Sequence, residues 1–361
     1  MTRDFKVGVL GATGMVGQRF VSLLEGHPWF KVTVVAASAK SAGQSYRAAV
    51  TGRWAMPAPV PARVGDLIVV DAAEVKRIAG EVDFVFCAVD MTKDATRALE
   101  DAYAAAETPV ISNNSAHRAT PDVPMMVPEI NPEHAELIVS QRKRLGTRRG
   151  FVAVKPNCSL QSYVPAIHPL LDLGPHKVWV ATYQALSGAG KTLQTWPEMA
   201  DNVIPFISGE EEKSQSEPGK IWGRVEGGRV LPANQPVIAA HCIRVPVSDG
   251  HLAAVSLALA HKPPRDEIIA RWRAFSGRPQ ALGLPSAPKP FLIYFDEDNR
   301  PQTRLDRDAG NGMAVCIGRL RDDPLFDYRF VALSHNTVRG AAGGSILTAE
   351  LLVADGYIAA G

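Results

Sequence analysis

The chain has 361 residues, of which 46% are hydrophobic and 21% charged, and its formal net charge at pH 7 is +2. This composition suits two globular domains and argues against wholesale disorder, a nucleic-acid-binding surface or a membrane surface. No apolar run reaches the length of a membrane span, and the first residues lack the apolar core of a signal peptide. We therefore expect a cytoplasmic protein with four reduced cysteines and, because no clustered cysteine or histidine spacing occurs, no metal site.

The first part of the chain alternates short apolar runs with helical stretches. Near-continuous apolar runs of this length are typical of parallel strands that are covered on both faces. Helical periodicity separates them, for example at 15–27 and 92–106. This alternation predicts a Rossmann-like, doubly wound parallel sheet. The six predicted strands are 6–10, 31–38, 67–70, 83–89, 109–113 and 151–157.

The pattern changes after residue 157. Longer β runs follow, with a helix predicted at 266–275, and this predicts an α+β second domain with a mainly antiparallel sheet. The charged run 208–223 is interpreted as a solvated loop or helix face. The last apolar segment, 337–358, predicts a long helix that packs back on the first domain. We thus predict a nucleotide domain of residues 1–157 with 337–361, and a catalytic and oligomerisation domain of residues 158–336. The predicted strands of the second domain are 177–186, 241–247, 251–261, 312–321 and 328–336.

A glycine-rich turn lies between the first predicted strand and the helix that follows it. Such a turn lets the backbone approach a pyrophosphate, and the helix N-terminus attracts the negative charge. The position of the turn directly after a strand and before a helix predicts a dinucleotide site. The residues expected at this site are Gly11, Thr13, Gly14, Met15, Val16 and Gly17.

The end of the second strand indicates which dinucleotide binds. NAD-binding proteins place an acidic residue there to bind the ribose hydroxyls. Here the strand ends at Ser38 and no acid follows. Ser38, Lys40 and Ser41 are able to donate to a 2′-phosphate, so we predict that NADP is favoured over NAD.

Cys158 lies where a predicted strand ends and a helix begins. The partial positive charge at a helix N-terminus lowers the pKa of a thiol and makes it a nucleophile. Cys87 and Cys316 lie instead within apolar strands, where cysteine behaves as a small hydrophobic residue. We therefore predict that Cys158 is the reactive cysteine.

Three further residues fit a reaction at this thiol. Arg244 and His251 are separated by a possible turn between strands, and Gln184 ends a strand just before Ser187–Gly188. A histidine beside a thiolate serves as base and then as acid, and an arginine binds a carboxylate through two parallel hydrogen bonds. None of these three residues is a specific signal alone. Their occurrence together with a predicted nucleotide-binding fold indicates an enzyme.

At these residues the chain resembles the aspartate-β-semialdehyde dehydrogenase family, in particular its archaeal and fungal branch. The resemblance covers nearly the whole length. It implies NADPH-dependent reduction of L-aspartyl-4-phosphate to L-aspartate 4-semialdehyde through a thioester, in the pathway to lysine, threonine and methionine. It also implies a homodimer or homotetramer. The matching segments are GATGMVGQ, SNNSAHR, VPEIN, PNCS, TYQALSGAG, GEEEK, RVPVSDGH and HNTVRGAAGGSILTAELL.

The resemblance also implies roles for individual residues. Cys158 matches the nucleophile, His251 the acid/base and Gln184 the residue that orients the acyl intermediate. Asn336 matches a residue near the nicotinamide, and Ser187 and Gly188 are expected to bind the cofactor.

The substrate-binding residues implied by the resemblance include both charges and amides. Arg244 matches the arginine that binds the α-carboxylate, and Glu210 matches an acid that meets the amino group. The residues implied around the phosphate are Lys213, Arg118 and Asn157. Glu217 and Lys220 repeat the spacing of Glu210 and Lys213, so the sequence leaves open which pair faces the substrate.

Other reductases of acyl phosphates or acyl thioesters share these features, among them N-acetylglutamyl-phosphate reductase and glyceraldehyde-3-phosphate dehydrogenase. Malonyl-CoA reductase is the nearest alternative, because its substrate also presents a carboxylate to Arg244. Only the aspartyl substrate carries an amino group, so Glu210 favours it. A non-catalytic NADP-sensing protein would need the glycine turn but not Cys158, Arg244 or His251.

Overall fold

A computed structural model describes residues 4–360. The strands of this part are β1 Phe5–Leu10, β2 Phe30–Ala37, β3 Val70–Asp71, β4 Phe84–Cys87, β5 Val110–Ser112, β6 Val152–Val154, β7 Pro175–Gln184, β8 Arg224–Glu226, β9 Arg229–Leu231, β10 Val237–Arg244, β11 His251–Leu259, β12 Leu292–Phe295, β13 Val315–Asp322 and β14 Tyr328–Ser334. The α-helices are α1 Met15–Leu23, α2 Tyr46–Val50, α3 Ala62–Gly65, α4 Val75–Ala79, α5 Lys93–Ala105, α6 Leu137–Leu145, α7 Leu160–Ile167, α8 Glu210–Ile221, α9 Arg265–Ala274, α10 Arg278–Ala281, α11 Thr303–Asp306 and α12 Gly343–Ala354.

The first sheet has six parallel strands in the order β3-β2-β1-β4-β5-β6. The predicted Rossmann-like sheet is therefore confirmed. The strand order reverses beside β1, and ligands of such sheets bind outside the carboxyl ends of the strands at that point. Strand β3 is shorter than predicted because Leu67 and Val69 form hydrogen bonds with the loop 43–46 instead of with β2.

The second sheet has the order β10-β7-β11-β14-β13-β12. Its three central pairs are antiparallel, whereas the edge pairs β10–β7 and β12–β13 are parallel, so the sheet is mixed. Strand β7 separates β10 from β11, and its last residue, Gln184, pairs with the last residue of β10, Arg244. His251 begins β11 at the same end of the sheet. The topology therefore places Gln184, Arg244 and His251, three predicted site residues, at the same end of adjacent strands.

The predicted C-terminal helix is interrupted. Residues Val338–Ala342 form a π-helical turn with Ala341 outside helical geometry, and α12 begins only at Gly343. At the interruption Gly340 lies against Cys158, the predicted nucleophile, and an added Cβ would lie 2.9 Å from the Cβ of Cys158. Such turns are frequent at functional sites.

Helix α12 packs on the parallel sheet. Ile346 and Leu347 share a buried apolar cluster with Val7 of β1 and Phe86 of β4. This packing supports the proposal that the C-terminal segment belongs with the nucleotide domain, although the domain boundaries remain a prediction. Across residues 4–360, the helices are all too short or too polar to cross a membrane.

Candidate active site

The nucleotide cleft is shaped by backbone. Gly11 has φ +78°, and an added Cβ there would lie 2.2 Å from the carbonyl oxygen of Ala88. A Cβ on Gly17 would lie 2.1 Å from the carbonyl oxygen of Gly11. Gly14 precedes α1 and has room, since the nearest atom to its Cβ position is 3.5 Å away. Two of the three glycines are therefore required by close approach within the turn.

The predicted cofactor residues divide between the cleft wall and its surroundings. Gly11, Thr13, Gly14 and Ser38 line the cleft. The remaining residues predicted from this part of the chain lie outside the lining: Met15, Val16, Gly17, Lys40 and Ser41. The Lys40 side chain is exposed to solvent.

Sequence reasoning missed three charged residues of the cleft, Arg53, Asp71 and Asp90, the last of which follows β4. Arg53 lines it and donates from Nη2 to the Ser41 hydroxyl at 3.4 Å. Asp71, at the end of β3, lines it as well. Arg53 follows a glycine turn with no motif to mark it, whereas the position of Asp71 at the end of a strand was a usable signal.

Cys158 follows β6 by four residues and precedes Ser159, the N-cap of α7. Its Sγ lies 3.5 Å from Nε2 of His251. Burial raises the pKa of the Cys158 thiol to about 11, and the Glu210 carboxylate acts in the same direction. The prediction of a lowered pKa is therefore wrong for this state, because the loss of hydration outweighs the helix end and the nearby cations.

His251 is fully buried and has a defined tautomer. The backbone N–H of Ala185 donates to its Nδ1 at 3.1 Å, so the proton of the neutral ring lies on Nε2. Burial lowers the pKa of His251 to about 3, and the Arg244 charge contributes. The ring therefore presents a hydrogen-bond donor to the Cys158 sulfur.

Arg244 lies beside this pair. It is 5% exposed, donates from Nη1 to the Ala185 carbonyl at 2.6 Å, and makes no ion pair with any described residue. A Cβ on Gly188 would lie 2.9 Å from this nitrogen and 3.1 Å from Nε2 of His251. Gly188, predicted at the cofactor, thus packs against both side chains.

Ser187 and Asn336, both predicted to bind the cofactor, connect two loops. Asn336 donates from Nδ2 to the Ser187 hydroxyl at 2.8 Å, and its Oδ1 accepts from the Gly250 N–H at 2.8 Å. Since Gly250 directly precedes His251, these bonds fix the loop that carries the histidine.

Two glutamates of α8 form hydrogen bonds with Asn157, the residue before Cys158. Glu210 accepts both of its bonds to Asn157 from the amide Nδ2, at 2.9 and 3.0 Å, and Glu217 accepts from the Asn157 N–H at 2.6 Å. Glu217 also accepts from Arg118 at 3.0 Å. Residues seven apart lie on the same helix face, two turns along.

The structure brings both glutamates into the site but separates the two lysines. Lys213 donates to Glu210 at 2.7 Å, and Gln184 donates to the same carboxylate at 3.3 Å. Lys220 instead donates to the backbone carbonyls of residues 118 and 120. Lys213 is therefore the lysine next to Glu210, while Glu217 joins the site without Lys220.

Three buried donors near these residues have no hydrogen-bond partner among the described residues: Nε of Arg118, Nδ2 of Asn113 and Nζ of Lys155. Lys155 was missed by sequence reasoning, and its only signal was a lysine directly after an apolar strand. Within residues 4–360, His, Cys, Asp and Glu side chains form no group able to hold a metal ion.

A glycine turn on a doubly wound sheet, joined to a mixed sheet that directs a histidine at a cysteine, defines a nucleotide-dependent dehydrogenase that works through a cysteine. Consistent with this, the family model "Semialdehyde dehydrogenase, NAD binding domain" matches residues 6–138, and "Semialdehyde dehydrogenase, dimerisation domain" matches residues 167–339.

Comparison with individual relatives shows to which family of nucleotide-dependent dehydrogenases the chain belongs. The aspartate-semialdehyde dehydrogenase of Methanothermobacter thermautotrophicus is 45% identical over 96% of this chain and 98% of its own length. That of Aspergillus fumigatus is 42% identical over 98% of each. A crystal structure of aspartate-semialdehyde dehydrogenase with NADP from Candida albicans has a TM-score of 0.87 at 36% identity, covering 98% of this chain and 100% of that one. The chain belongs to the aspartate-semialdehyde dehydrogenase family.

Proposed function

We propose that the protein reduces L-aspartyl-4-phosphate to L-aspartate 4-semialdehyde with NADPH and releases phosphate. This reaction serves the pathway to lysine, threonine and methionine. The observation that carries the proposal is the Cys158 sulfur at 3.5 Å from Nε2 of His251, beside an Arg244 that has no carboxylate partner among the described residues. The names of the relatives support the same substrate.

Cys158 attacks the acyl phosphate as a thiolate and forms a thioester, which accepts hydride more readily than the parent acid does. Arg118 and Asn113, whose buried donors Nε and Nδ2 have no partner in the described chain, support the departing phosphate. NADPH, when bound in the cleft, supplies the hydride. His251 donates a hydrogen bond from Nε2 to the oxygen that becomes negative as the hydride adds. The resulting alkoxide re-forms its C=O bond while the C–S bond breaks, which releases the aldehyde and the Cys158 thiolate.

In this proposal, charged side chains bind the two ionic groups of the substrate. Arg244 binds the α-carboxylate, and Glu210, held by Asn157, Lys213 and Gln184, meets the amino group. Malonyl-CoA lacks that amino group, so Glu210 favours the aspartyl substrate. An NADP-sensing protein would not need a histidine directed at a cysteine.

NADP is the proposed cofactor, as in the relative from Candida albicans. Ser38 and Arg53 line the cleft where a 2′-phosphate would lie. In place of Lys40, Arg53 is the cation that would bind the 2′-phosphate, and its charge offsets the carboxylates of Asp71 and Asp90 in the lining.

We propose a homodimer or homotetramer in which the outer face of the second sheet forms an interface. Trp179 and Val237 expose apolar side chains on its outer face, from neighbouring strands β7 and β10. The match to a domain described as a dimerisation domain supports an interface there. The cytoplasmic location inferred from the sequence remains a prediction.

The test is a direct assay with purified protein. NADP, phosphate and aspartate semialdehyde together should produce NADPH absorbance, and leaving out phosphate should stop it. The same protein with malonyl-CoA and NADPH tests the alternative. Turnover of malonyl-CoA but not of aspartate semialdehyde would overturn the proposal.

A further inference from the structure

A buried glutamate of α5 forms hydrogen bonds with the beginning of the loop that follows β5. Glu100 is fully buried, and its Oε1 accepts from the Ser112 hydroxyl at 2.5 Å and from Nδ2 of Asn114 at 3.1 Å. The Ser112 hydroxyl oxygen in turn accepts from the Asn114 N–H at 2.9 Å. A buried polar group is costly unless its hydrogen bonds are made, so these bonds constrain both the glutamate and the loop.

Asn113 lies between the two residues that Glu100 binds. Its backbone N–H donates to the carbonyl of Cys87, the last residue of β4, at 2.9 Å. Its side-chain Nδ2 is buried and has no hydrogen-bond partner among residues 4–360. Because Ser112 and Asn114 are both bound to Glu100, the glutamate fixes the backbone from which this unpaired donor projects.

The same loop is connected to the residue before the predicted nucleophile. Arg118 donates from Nη2 to the Asn113 carbonyl at 3.1 Å and from Nη1 to Glu217 at 3.0 Å. Glu217 also accepts from the Asn157 N–H at 2.6 Å. Hydrogen bonds and a short stretch of backbone therefore join Glu100 to the catalytic pocket.

Other contacts fix the far end of the loop. Arg97 donates from Nη2 to the Ala116 carbonyl at 2.8 Å, and Lys220 donates to the Arg118 carbonyl at 2.8 Å. These bonds do not involve Glu100. A substitution of Glu100 should therefore disturb the beginning of the loop while its far end stays in place.

We propose that Glu100 is a positioning residue for the phosphate site, which fixes the segment Ser112–Asn114 so that the unpaired donor of Asn113 is directed at the phosphate. Glu100 itself is buried and acts through the loop. The inference rests on the proposed function, in which Asn113 and Arg118 support the phosphate, and it deepens that function by assigning the residue that holds Asn113 in place.

The test is the phosphate dependence of the reaction in the direction that consumes aspartate semialdehyde. Glu100→Leu keeps a similar volume but removes the acceptor, so KM for phosphate should rise about tenfold, whereas KM for NADP and for aspartate semialdehyde should change little. Glu100→Gln keeps one acceptor oxygen and should retain the wild-type KM for phosphate. Burial raises the pKa of Glu100, and glutamine resembles the protonated acid in shape and hydrogen bonding.

A second substitution addresses the same contact from the loop. Ser112→Ala removes one of the two donors to Glu100 and should raise KM for phosphate about threefold. The effects of Ser112→Ala and Glu100→Leu should not add in the double mutant, because both break the same contact. Thr96→Val, a change of a buried polar side chain one turn earlier on α5, is the matched control and should leave the KM values unchanged.

The rise in melting temperature with phosphate concentration measures the same site without turnover, and in Glu100→Leu it should require about tenfold more phosphate. An unchanged KM for phosphate in Glu100→Leu or, if that variant does not fold, in Ser112→Ala would overturn the proposal. So would equal increases in all KM values, which indicate a purely structural role, or an equal rise in Glu100→Gln. Wild-type turnover without phosphate would instead contradict the proposed reaction, and the melting measurement would still test the role of Glu100.

Discussion

The nucleotide cleft and the proposed catalytic pocket around Cys158 are built in opposite ways. The cleft is formed by backbone, where Gly11 and Gly17 leave no room for a Cβ. In the pocket, side chains from separate elements are fixed by one another, as Glu210 shows with its bonds from Asn157 and Lys213. The cleft should therefore respond to added atoms, and the pocket to lost hydrogen bonds and charges. The predictions below test this contrast.

The largest effect is expected for Cys158→Ser. A hydroxyl is a far weaker nucleophile than a thiolate, so kcat should fall roughly 10³-fold or more. NADP affinity, measured by fluorescence titration, should remain near wild type because the cleft is a separate structure. Cys87→Ser and Cys316→Ala, both buried in strands, are the controls and should retain activity. Loss of NADP binding in Cys158→Ser would show that the two regions are not independent.

His251→Asn should lower kcat by about 10²-fold to 10⁴-fold with little change in KM, because a donor to the reacting oxygen is lost. Arg244→Lys is the comparison within the pocket. It keeps the charge but loses the planar fork, and we expect kcat/KM to fall about tenfold to a hundredfold. Steady-state kinetics with aspartate semialdehyde as the varied substrate distinguish the two. An effect of His251→Asn on KM alone would contradict its role.

Gly188→Ala tests whether an added atom also harms the pocket. The new Cβ would crowd Arg244 and His251 at 2.9 and 3.1 Å, so both must shift by a few tenths of an ångström. We expect a loss of about tenfold in kcat, since small displacements of reacting groups are costly. Gly80→Ala, at the end of α4 and outside both regions, has room for its Cβ and serves as the control. Equal effects of the two changes would remove the distinction drawn here.

The smallest effect is expected at the cleft wall. Arg53→Ala should weaken NADP binding roughly fivefold, the scale of ~1 kcal/mol for a partly exposed ion pair, and leave NAD binding unchanged. Lys40→Ala, outside the lining, should do less. Dissociation constants for both cofactors provide the measurement. A larger effect of Lys40→Ala would restore the sequence-based assignment.

The sequence predicted the features that a few neighbouring residues determine. The parallel sheet follows from its apolar runs, and the glycine turn and Cys158 are marked by their place between strand and helix. The break at Val338–Ala342 was missed because it depends on the approach of Gly340 to Cys158, which is distant in sequence.

The charges of the site were harder to predict. Arg53 gains its place only when the chain brings it to Ser41. The raised pKa of Cys158 and the unpartnered amine of Lys155 both result from burial, and no local pattern reports the burial of a particular side chain.

The spacing of the two glutamates along α8 fixes the length of the helix between them. Glu210 and Glu217 both reach Asn157 because seven residues return to the same face, and a single inserted residue would turn Glu217 by about 100° away from it. Gln215 and Ser216, which lie between the two glutamates, are exposed, so substitutions at these positions should be tolerated. The helix should therefore tolerate substitution on its outer face across evolution while its length between the glutamates stays fixed.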